Sequence, residues 1–137
     1  MSTPVAIRFD EDLLDEVRRV ARRRGTTVSS VVQSFTEEGV RAGQIPGIVF
    51  RDGPAGRRAG VAGSLDVWEI ISAAQTEDKP IDTASLATEI CVPLHAITIA
   101  LDYYSRYPEE IDQWIADNDL EAERAETSWA RKQAVLA

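Results

Sequence analysis

The N-terminal segment 4–9 has the pattern of one short β-strand, with no second strand near it to complete a sheet. Alternate side chains share a face: Val5, Ile7 and Phe9 on one side, and Pro4, Ala6 and Arg8 on the other. A single strand leaves backbone groups unpaired along both edges and is not stable alone. The sequence therefore predicts a homodimer in which a second copy pairs antiparallel with this strand. Such a two-stranded ribbon fits the major groove of DNA.

Two amphipathic helix patterns follow the strand. Asp10 stands where an N-cap belongs, apolar residues recur at helical spacing from Leu13 to Ala21, and Gly25 suits the position after the helix. Thr27 then predicts the cap of a second helix, which Gly43 is expected to end.

The order strand, helix, Gly25-Thr26-Thr27-Val28-Ser29 turn and helix resembles the ribbon-helix-helix (CopG/Arc/MetJ-like) family over about the first 43 residues. The resemblance implies that outward ribbon side chains read bases and that the start of the second helix grips a phosphate. Carried over to this chain, the implied DNA-binding residues are Ala6, Arg8, Thr27, Val28 and Ser29. Arg8 alone among the ribbon positions can hydrogen-bond to a base edge. Thr27 could also serve only as a helix cap. Arg22–Arg24 suit either a solvated helix end or contact with phosphate.

Charge divides the chain. Residues 1–63 hold ten arginines and eight acidic residues, a net charge of +2, whereas residues 64–137 hold five basic and fifteen acidic residues, a net charge of −10. Because DNA affinity depends on cations that neutralise phosphates, we expect DNA contact from the N-terminal half only. No apolar run is long enough to span a membrane and no signal peptide is evident, so we expect a cytoplasmic protein.

Residues 44–117 are expected to form a second domain. Ile48–Phe50, a turn at 51–56 and a return strand predict a hairpin, with Arg51, Arg57 and Arg58 at its tip. These arginines suit either a solvated loop or contact with phosphate or an acidic partner. A helix starting near Leu65 and a helix-turn-helix pattern follow.

The helix-turn-helix pattern covers residues 86–101. Its predicted core positions are Leu86, Ala87, Ile90, Val92, Ile97 and Leu101. Cys91 stands where the turn usually has glycine, and Pro93 suits the first turn of the second helix. The predicted exposed side chains are Leu94, His95, Thr98 and Asp102. Since none of them is Lys or Arg, we interpret this module as structural or protein-binding.

The segment from Ile45 to about Asp117 also resembles a family of small domains of unassigned function that bacteria encode beside PIN-like toxins. The matching strings are Pro46-Gly47-Ile48, Leu65-Asp66-Val67-Trp68, Ala100-Leu101-Asp102-Tyr103-Tyr104 and Glu109-Glu110-Ile111. What this resemblance implies is an antitoxin, a dimer that binds its own operator DNA and neutralises a toxin ribonuclease.

Residues 118–137 are predicted to form a C-terminal helical tail, because Asp117-Asn118-Asp119 interrupts the apolar stripe that runs through Trp114. Its few apolar groups are too sparse to close a core. Large aromatic residues often anchor partner proteins, and cations there suit an acidic toxin site. The predicted partner-binding residues are Trp114, Leu120, Arg124, Trp129, Arg131 and Lys132.

The predicted fold class is therefore mainly α: a dimeric ribbon-helix-helix unit at 1–43, a hairpin plus helix-turn-helix-like domain at 44–117, and the tail at 118–137. No catalytic set, cofactor motif or metal-ligand pattern occurs, and His95 is the one histidine. The leading hypothesis is a type II antitoxin that represses its own operator. The alternatives are a free-standing transcription regulator whose acidic half binds a ligand or another protein, and a small hydrolase or ligand-binding domain.

Overall fold

The computed structural model describes residues 1–76, 80 and 82–136. These residues are mainly helical, with six helices and one two-stranded antiparallel sheet. They divide into two compact units, Met1–Gly43 and Gln44–Ala137. The mainly helical class and the hairpin predicted at 48–61 are confirmed.

The first unit is a helical pair. Helix α1 spans Glu11–Arg24 and helix α2 spans Val28–Gln44, one residue beyond the predicted end. Gly25 takes a left-handed conformation (φ 64°), and the N–H of Thr26 reaches back to the carbonyl of Ala21 at 3.0 Å. This pattern ends a helix by satisfying its last carbonyls, and it requires a residue that tolerates positive φ.

The core of this first unit is small. Among the described residues its buried apolar side chains are Val17, Ala21 and Val31, with Val20, Val28 and Val32 packed at their edge. The predicted strand 4–9 is not assigned to any regular element, and most of it is exposed. The ribbon-helix-helix arrangement therefore remains a prediction.

The second unit begins with the hairpin. Strand β1, Ile48–Arg51, pairs antiparallel with β2, Arg58–Val61, in the register Ile48 opposite Val61. Across the turn, Gly53 and Gly56 exchange two backbone hydrogen bonds of 3.0 Å. Because the inner side chains Ile48, Ala59 and Val61 are buried, the hairpin forms one wall of the core.

Four helices complete the second unit. They are α3 (Val67–Thr76), α4 (Thr83–Glu89), α5 (Leu94–Arg106) and α6 (Pro108–Leu136). Their core is built around Ile70, Ile97, Tyr103 and Ile111, each at most 1% exposed. No single helix among residues 1–76 and 82–136 has both the length and the apolar composition to cross a membrane.

The helix-turn-helix pattern places α4 and α5 correctly but with two differences. Leu101, predicted in the core, is 41% exposed, whereas Ala100 and Tyr103 are buried. The cause is the rotation of α5, which turns a face of small residues and one tyrosine toward α3 and β2. Pro93 is the N-cap of α5 rather than a residue of its first turn.

Helix α6 is continuous over 29 residues and passes through 117–119 without a break. The boundary predicted between a second domain and a tail therefore falls inside one helix. The following segment, rich in Leu, Glu, Ala and Arg, has a high helix propensity that outweighs three residues with weaker preference. From Ala116 to Leu136 every residue is exposed, so this part of α6 extends beyond the packed core.

Candidate DNA-binding and partner-binding sites

The predicted base-reading residues lie on a fully accessible segment. Ala6 and Arg8 are exposed, as are their neighbours Val5 and Ile7, whose residues are 77% and 64% exposed. Phe9 is half-buried. Val5 and Ile7, which the ribbon prediction places on the buried face, are therefore exposed in the single chain.

The predicted phosphate site lies at the N-terminus of α2. The Thr27 hydroxyl accepts a hydrogen bond from the N–H of Ser30 at 3.1 Å, so the predicted cap is confirmed. The N–H groups of Val28 and Ser29 have no acceptor among the described residues. Val28 is half-buried and Ser29 is exposed, so this helix start is accessible to solvent. Such unpaired donors at a helix start are suited to an anion.

The three arginines at the end of α1 are not equivalent. The guanidinium of Arg24 lies over the Phe35 ring, 4.8 Å from its centroid, and so links α1 to α2. Arg22 and Arg23 are exposed. All three are exposed, and Arg24 alone of them contacts an aromatic ring of α2.

The hairpin arginines form internal ion pairs instead of a basic tip. Asp66 is buried, with its side chain 6% exposed, and its carboxylate accepts from Arg51 at 2.7 Å and from the Nε of Arg58. Arg51 also donates to the carbonyl of Val61 at 2.6 Å. The predicted solvated loop is therefore wrong for Arg51 and Arg58, because one buried carboxylate holds both, and their contact with phosphate or an acidic partner stays a prediction.

Sequence reasoning missed Asp66, although a local signal marks it. Asp66 precedes α3 directly, and its N–H donates to Glu69, three residues later, at 3.3 Å. This is the reciprocal half of a capping box, which identifies a helix start from sequence. The helix therefore starts after Asp66, and Leu65, predicted on its apolar face, lies outside it and is partly exposed.

The three hairpin arginines belong to the second unit, so the net charge of each unit differs from that of the two halves of the sequence. The basic excess of residues 1–63 comes from Arg51, Arg57 and Arg58, and Arg57 lies 3.2 Å from Asp52. Residues 1–43 hold seven arginines and seven acidic residues, a net charge of zero, so the second unit carries the whole net charge of −8. Any DNA contact of the first unit must therefore depend on where its cations lie rather than on a net positive charge.

The exposed face of α5 is as predicted. Leu94, His95, Thr98 and Asp102 are all exposed, and none is a cation. Cys91, in the turn before α5, has φ 57°, the left-handed value for which glycine is the usual residue. The helix-turn-helix therefore presents a surface without cations at the position where a DNA reader would need them.

The predicted partner-binding residues lie on two faces of α6. Trp114 is half-buried, and its ring lies against the hairpin turn, 3.7 Å from where a Cβ on Gly56 would stand. Trp129, four turns further on, continues the same side of the helix and is 65% exposed. Leu120, Arg124 and Arg131 share a different side, whereas Lys132, about five turns beyond Trp114, lies on the side of the two tryptophans. The structure thus does not bring the six residues together on one surface.

A cavity of about 380 Å³ lies where α6 leaves the core. Residues of the hairpin turn, α3 and α6 line it: Pro54, Ala55, Arg58, Asp66, Trp68, Glu69, Trp114, Asp117, Asn118 and Glu121. Its walls therefore combine two tryptophans with four carboxylates, and its one guanidinium is bound to Asp66. Sequence reasoning did not find this cavity, because its walls come from three separate segments.

Two tyrosines fix the junction of α5 and α6. The Tyr103 hydroxyl donates to Glu110, and the Tyr104 hydroxyl donates to Asp112 at 2.8 Å. The latter hydrogen bond, with burial as a smaller cause, raises the pKa of Tyr104, since loss of its proton would place two negative charges together. These contacts set the direction in which α6 leaves the core.

Comparisons of this chain with protein-family models, with curated proteins and with solved structures found no match. Among residues 1–76, 80 and 82–136, no group of three or more His, Cys, Asp or Glu side chains is arranged to hold a metal ion.

Proposed function

We propose that this chain is a homodimeric ribbon-helix-helix repressor and the antitoxin of a type II toxin–antitoxin pair, acting in the cytoplasm without catalysis. The observation that carries the DNA-binding half is the incomplete core of the first unit. Its described part buries three apolar side chains, while Val5, Ile7 and Leu13 remain exposed. So small a core does not support an independent fold, and a second copy is the simplest way to complete it.

Strand pairing between two copies would cover these side chains. Complete burial of a Val or Ile side chain contributes about 1.5–3 kcal/mol, so covering Val5 and Ile7 in both copies favours association by several kcal/mol. The same pairing satisfies the backbone groups of residues 4–9 and leaves Ala6 and Arg8 facing outward. The alternation of the segment thus assigns dimer contact and DNA contact to adjacent residues.

DNA contact in this proposal has two parts. Arg8 reads a base edge, for which guanine O6 and N7 are the best acceptors. The N-terminus of α2 holds a backbone phosphate through the unpaired N–H groups of Val28 and Ser29. Thr27 is the cap of this helix. Since the first unit has no net charge, we expect a modest number of phosphate contacts and a shallow salt dependence.

Toxin neutralisation is assigned to the exposed part of α6. This segment holds five of the six predicted partner-binding residues, and residues 116–136 are all exposed, so packing within the chain contributes little to holding this long helix together. A partner that covers Trp129 would supply the missing packing. We propose that this partner is a PIN-like ribonuclease encoded by the adjacent gene.

The decisive DNA experiment compares adjacent substitutions. Ile7→Glu should convert the dimer to monomers in analytical ultracentrifugation and abolish binding to the DNA upstream of the gene. Ala6→Glu should keep the dimer but weaken DNA binding by charge repulsion, and Arg8→Ala should cost about 1–3 kcal/mol of binding free energy. Arg18→Ala is the matched control, because Arg18 is also exposed and pairs with Asp15 on its own helix.

Equal effects of Ile7→Glu and Ala6→Glu on the oligomeric state would contradict the ribbon. The antitoxin assignment is tested separately, by co-expressing the chain with the product of the adjacent gene and measuring growth. Operator binding without growth rescue would favour the alternative of a free-standing regulator.

A further inference from the structure

The exposed part of α6 has an apolar seam with a heptad spacing. Counting from the buried Ile111 in steps of four and three residues gives the positions on one side of the helix: Ile111, Ile115, Asn118, Ala122, Ala125, Trp129, Lys132 and Leu136. The first two pack in the core of the second unit, whereas Trp129 and Leu136 are 65% and 80% exposed. The seam is therefore the direct continuation of a face that is already used for packing.

Acidic residues flank this seam. Asp119 and Glu126 lie along one edge and Glu121 along the other, and all three are exposed. In a parallel pair of α6 helices, Glu121 would lie opposite Glu126 of the second copy. In an antiparallel pair, Asp119 and Glu126 would lie on the same edge as their counterparts. Like charges at such positions are destabilising, so the edges disfavour a second copy as the occupant.

The cavity of about 380 Å³ lies at the start of the seam and has the same chemistry. Glu121 belongs both to the cavity wall and to the edge of the seam, and the Trp68 and Trp114 rings line the cavity with Glu69 and Asp117. Tryptophan faces and nearby carboxylates both attract ammonium and guanidinium groups. The cavity and the part of the seam from Ile115 to Trp129 thus form one continuous surface. Its centre is apolar apart from Asn118 and its edges are negative, and the cation Lys132 lies beyond it.

We propose that this surface docks a basic amphipathic helix of a partner protein. The apolar side chains of the partner helix lie on Ala122, Ala125 and Trp129, its Lys or Arg residues face the acidic edges, and one of them enters the cavity between the two tryptophans. Small residues at two consecutive seam positions allow the helices to approach closely. The proposal deepens the antitoxin assignment and rests on its partner-binding role, and it assigns that role to the seam rather than to the side of Leu120, Arg124 and Arg131.

The test uses the full chain and two synthetic probes, an amphipathic leucine–lysine peptide of two heptads and the same peptide with glutamate for lysine. Binding is followed by NMR through the indole N–H signals of the three tryptophans. The lysine peptide should shift all three signals, and Trp129→Ala should weaken its binding about tenfold or more. Thr127→Ala, a truncation at an exposed position on the side of α6 opposite the seam, should leave binding within about twofold.

Equal binding of the glutamate peptide, or equal loss in Trp129→Ala and Thr127→Ala, would overturn the proposal. A dimer that dissociates in Trp129→Ala without any peptide binding would show that a second copy is the occupant, which also overturns it. The two proposals fail differently. If the Trp129→Ala and Glu126→Lys variants still rescue growth against the adjacent gene product, the assignment of partner binding to the seam is wrong. If the lysine peptide binds the seam but the wild-type chain never rescues growth, the antitoxin assignment is wrong.

Discussion

The ion-pair cluster on Asp66 gives the sharpest test of how the second unit is held together. Asp66→Asn keeps the size of the side chain but removes the charge that holds Arg51 and Arg58. Breaking a buried pair by removing one partner costs about 3–5 kcal/mol, since a charge remains buried and uncompensated. Here both arginine side chains are partly exposed, at 31% and 24%, so water can rehydrate them in part. We therefore expect a loss of about 2–4 kcal/mol in the free energy of unfolding.

The measurement is denaturant unfolding of the full chain followed by tryptophan fluorescence. Trp68 and Trp114 report on the second unit, because both are half-buried beside the hairpin and α3. For a unit of this size a loss of this magnitude corresponds to a lower thermal midpoint by roughly 10–25 °C. The difference in stability between wild type and Asp66→Asn should change little with added salt, since a partly buried pair is weakly screened.

The matched control is Asp52→Asn on the same hairpin. Asp52 pairs with Arg57 at 3.2 Å, but its side chain is 73% exposed, so this change should cost at most about 1 kcal/mol. If Asp66→Asn were no more destabilising than Asp52→Asn, the buried carboxylate would not be what fixes the hairpin against α3.

Three further changes test separate features of the fold. Gly60→Ala should destabilise the second unit by about 1–3 kcal/mol, because the new Cβ would clash with the Arg51 guanidinium. Unchanged denaturant stability would mean that Arg51 is not held in place. Cys91→Gly should stabilise the chain by about 0.5–1 kcal/mol, since Cys91 has φ 57°, while the control Cys91→Val should destabilise it. Equal thermal midpoints for these two variants would contradict the turn geometry. Asp82→Ala should lower the thermal midpoint at neutral pH, because hydrogen bonds from the backbone and hydroxyl of Ser85 lower the pKa of Asp82. A lowered pKa stabilises the fold above the ordinary carboxyl range and loses that effect as the pH falls through the lowered value, so the difference from wild type should shrink in acid; a constant difference down to low pH would exclude this cap.

Local signals identified much of the fold because they depend on near neighbours in the chain. Gly25 ends α1 and Thr27 starts α2 through hydrogen bonds that span three to five residues. The hairpin follows from alternation and turn chemistry, and Asp82, a residue type that favours N-caps, accepts the N–H of Ser85 at the start of α4. The exposed side of α5 was also predictable, since helical spacing fixes which side chains share a face.

Other features depend on contacts between distant segments. Asp66 is buried because Arg51 and Arg58, 15 and 8 residues away, both reach it across the hairpin. Periodicity did not predict this, because a lone Asp between apolar residues is usually a surface residue or a cap. Leu101 is exposed and Tyr103 buried for a related reason, since the rotation of α5 is set by the shape of the core rather than by the sequence of α5 alone.

The sequence by itself determined the turn between α1 and α2, the hairpin and the polar side of α5. These properties arise from hydrogen bonds and periodicities within a few residues. Only the tertiary structure decided that the hairpin arginines are bound internally and that Trp114 and Trp129 lie along one side of a single continuous helix. It also brought two tryptophans and four carboxylates together around one cavity. The physical reason is that burial, and with it the pairing of charges, is a property of distant segments packed together.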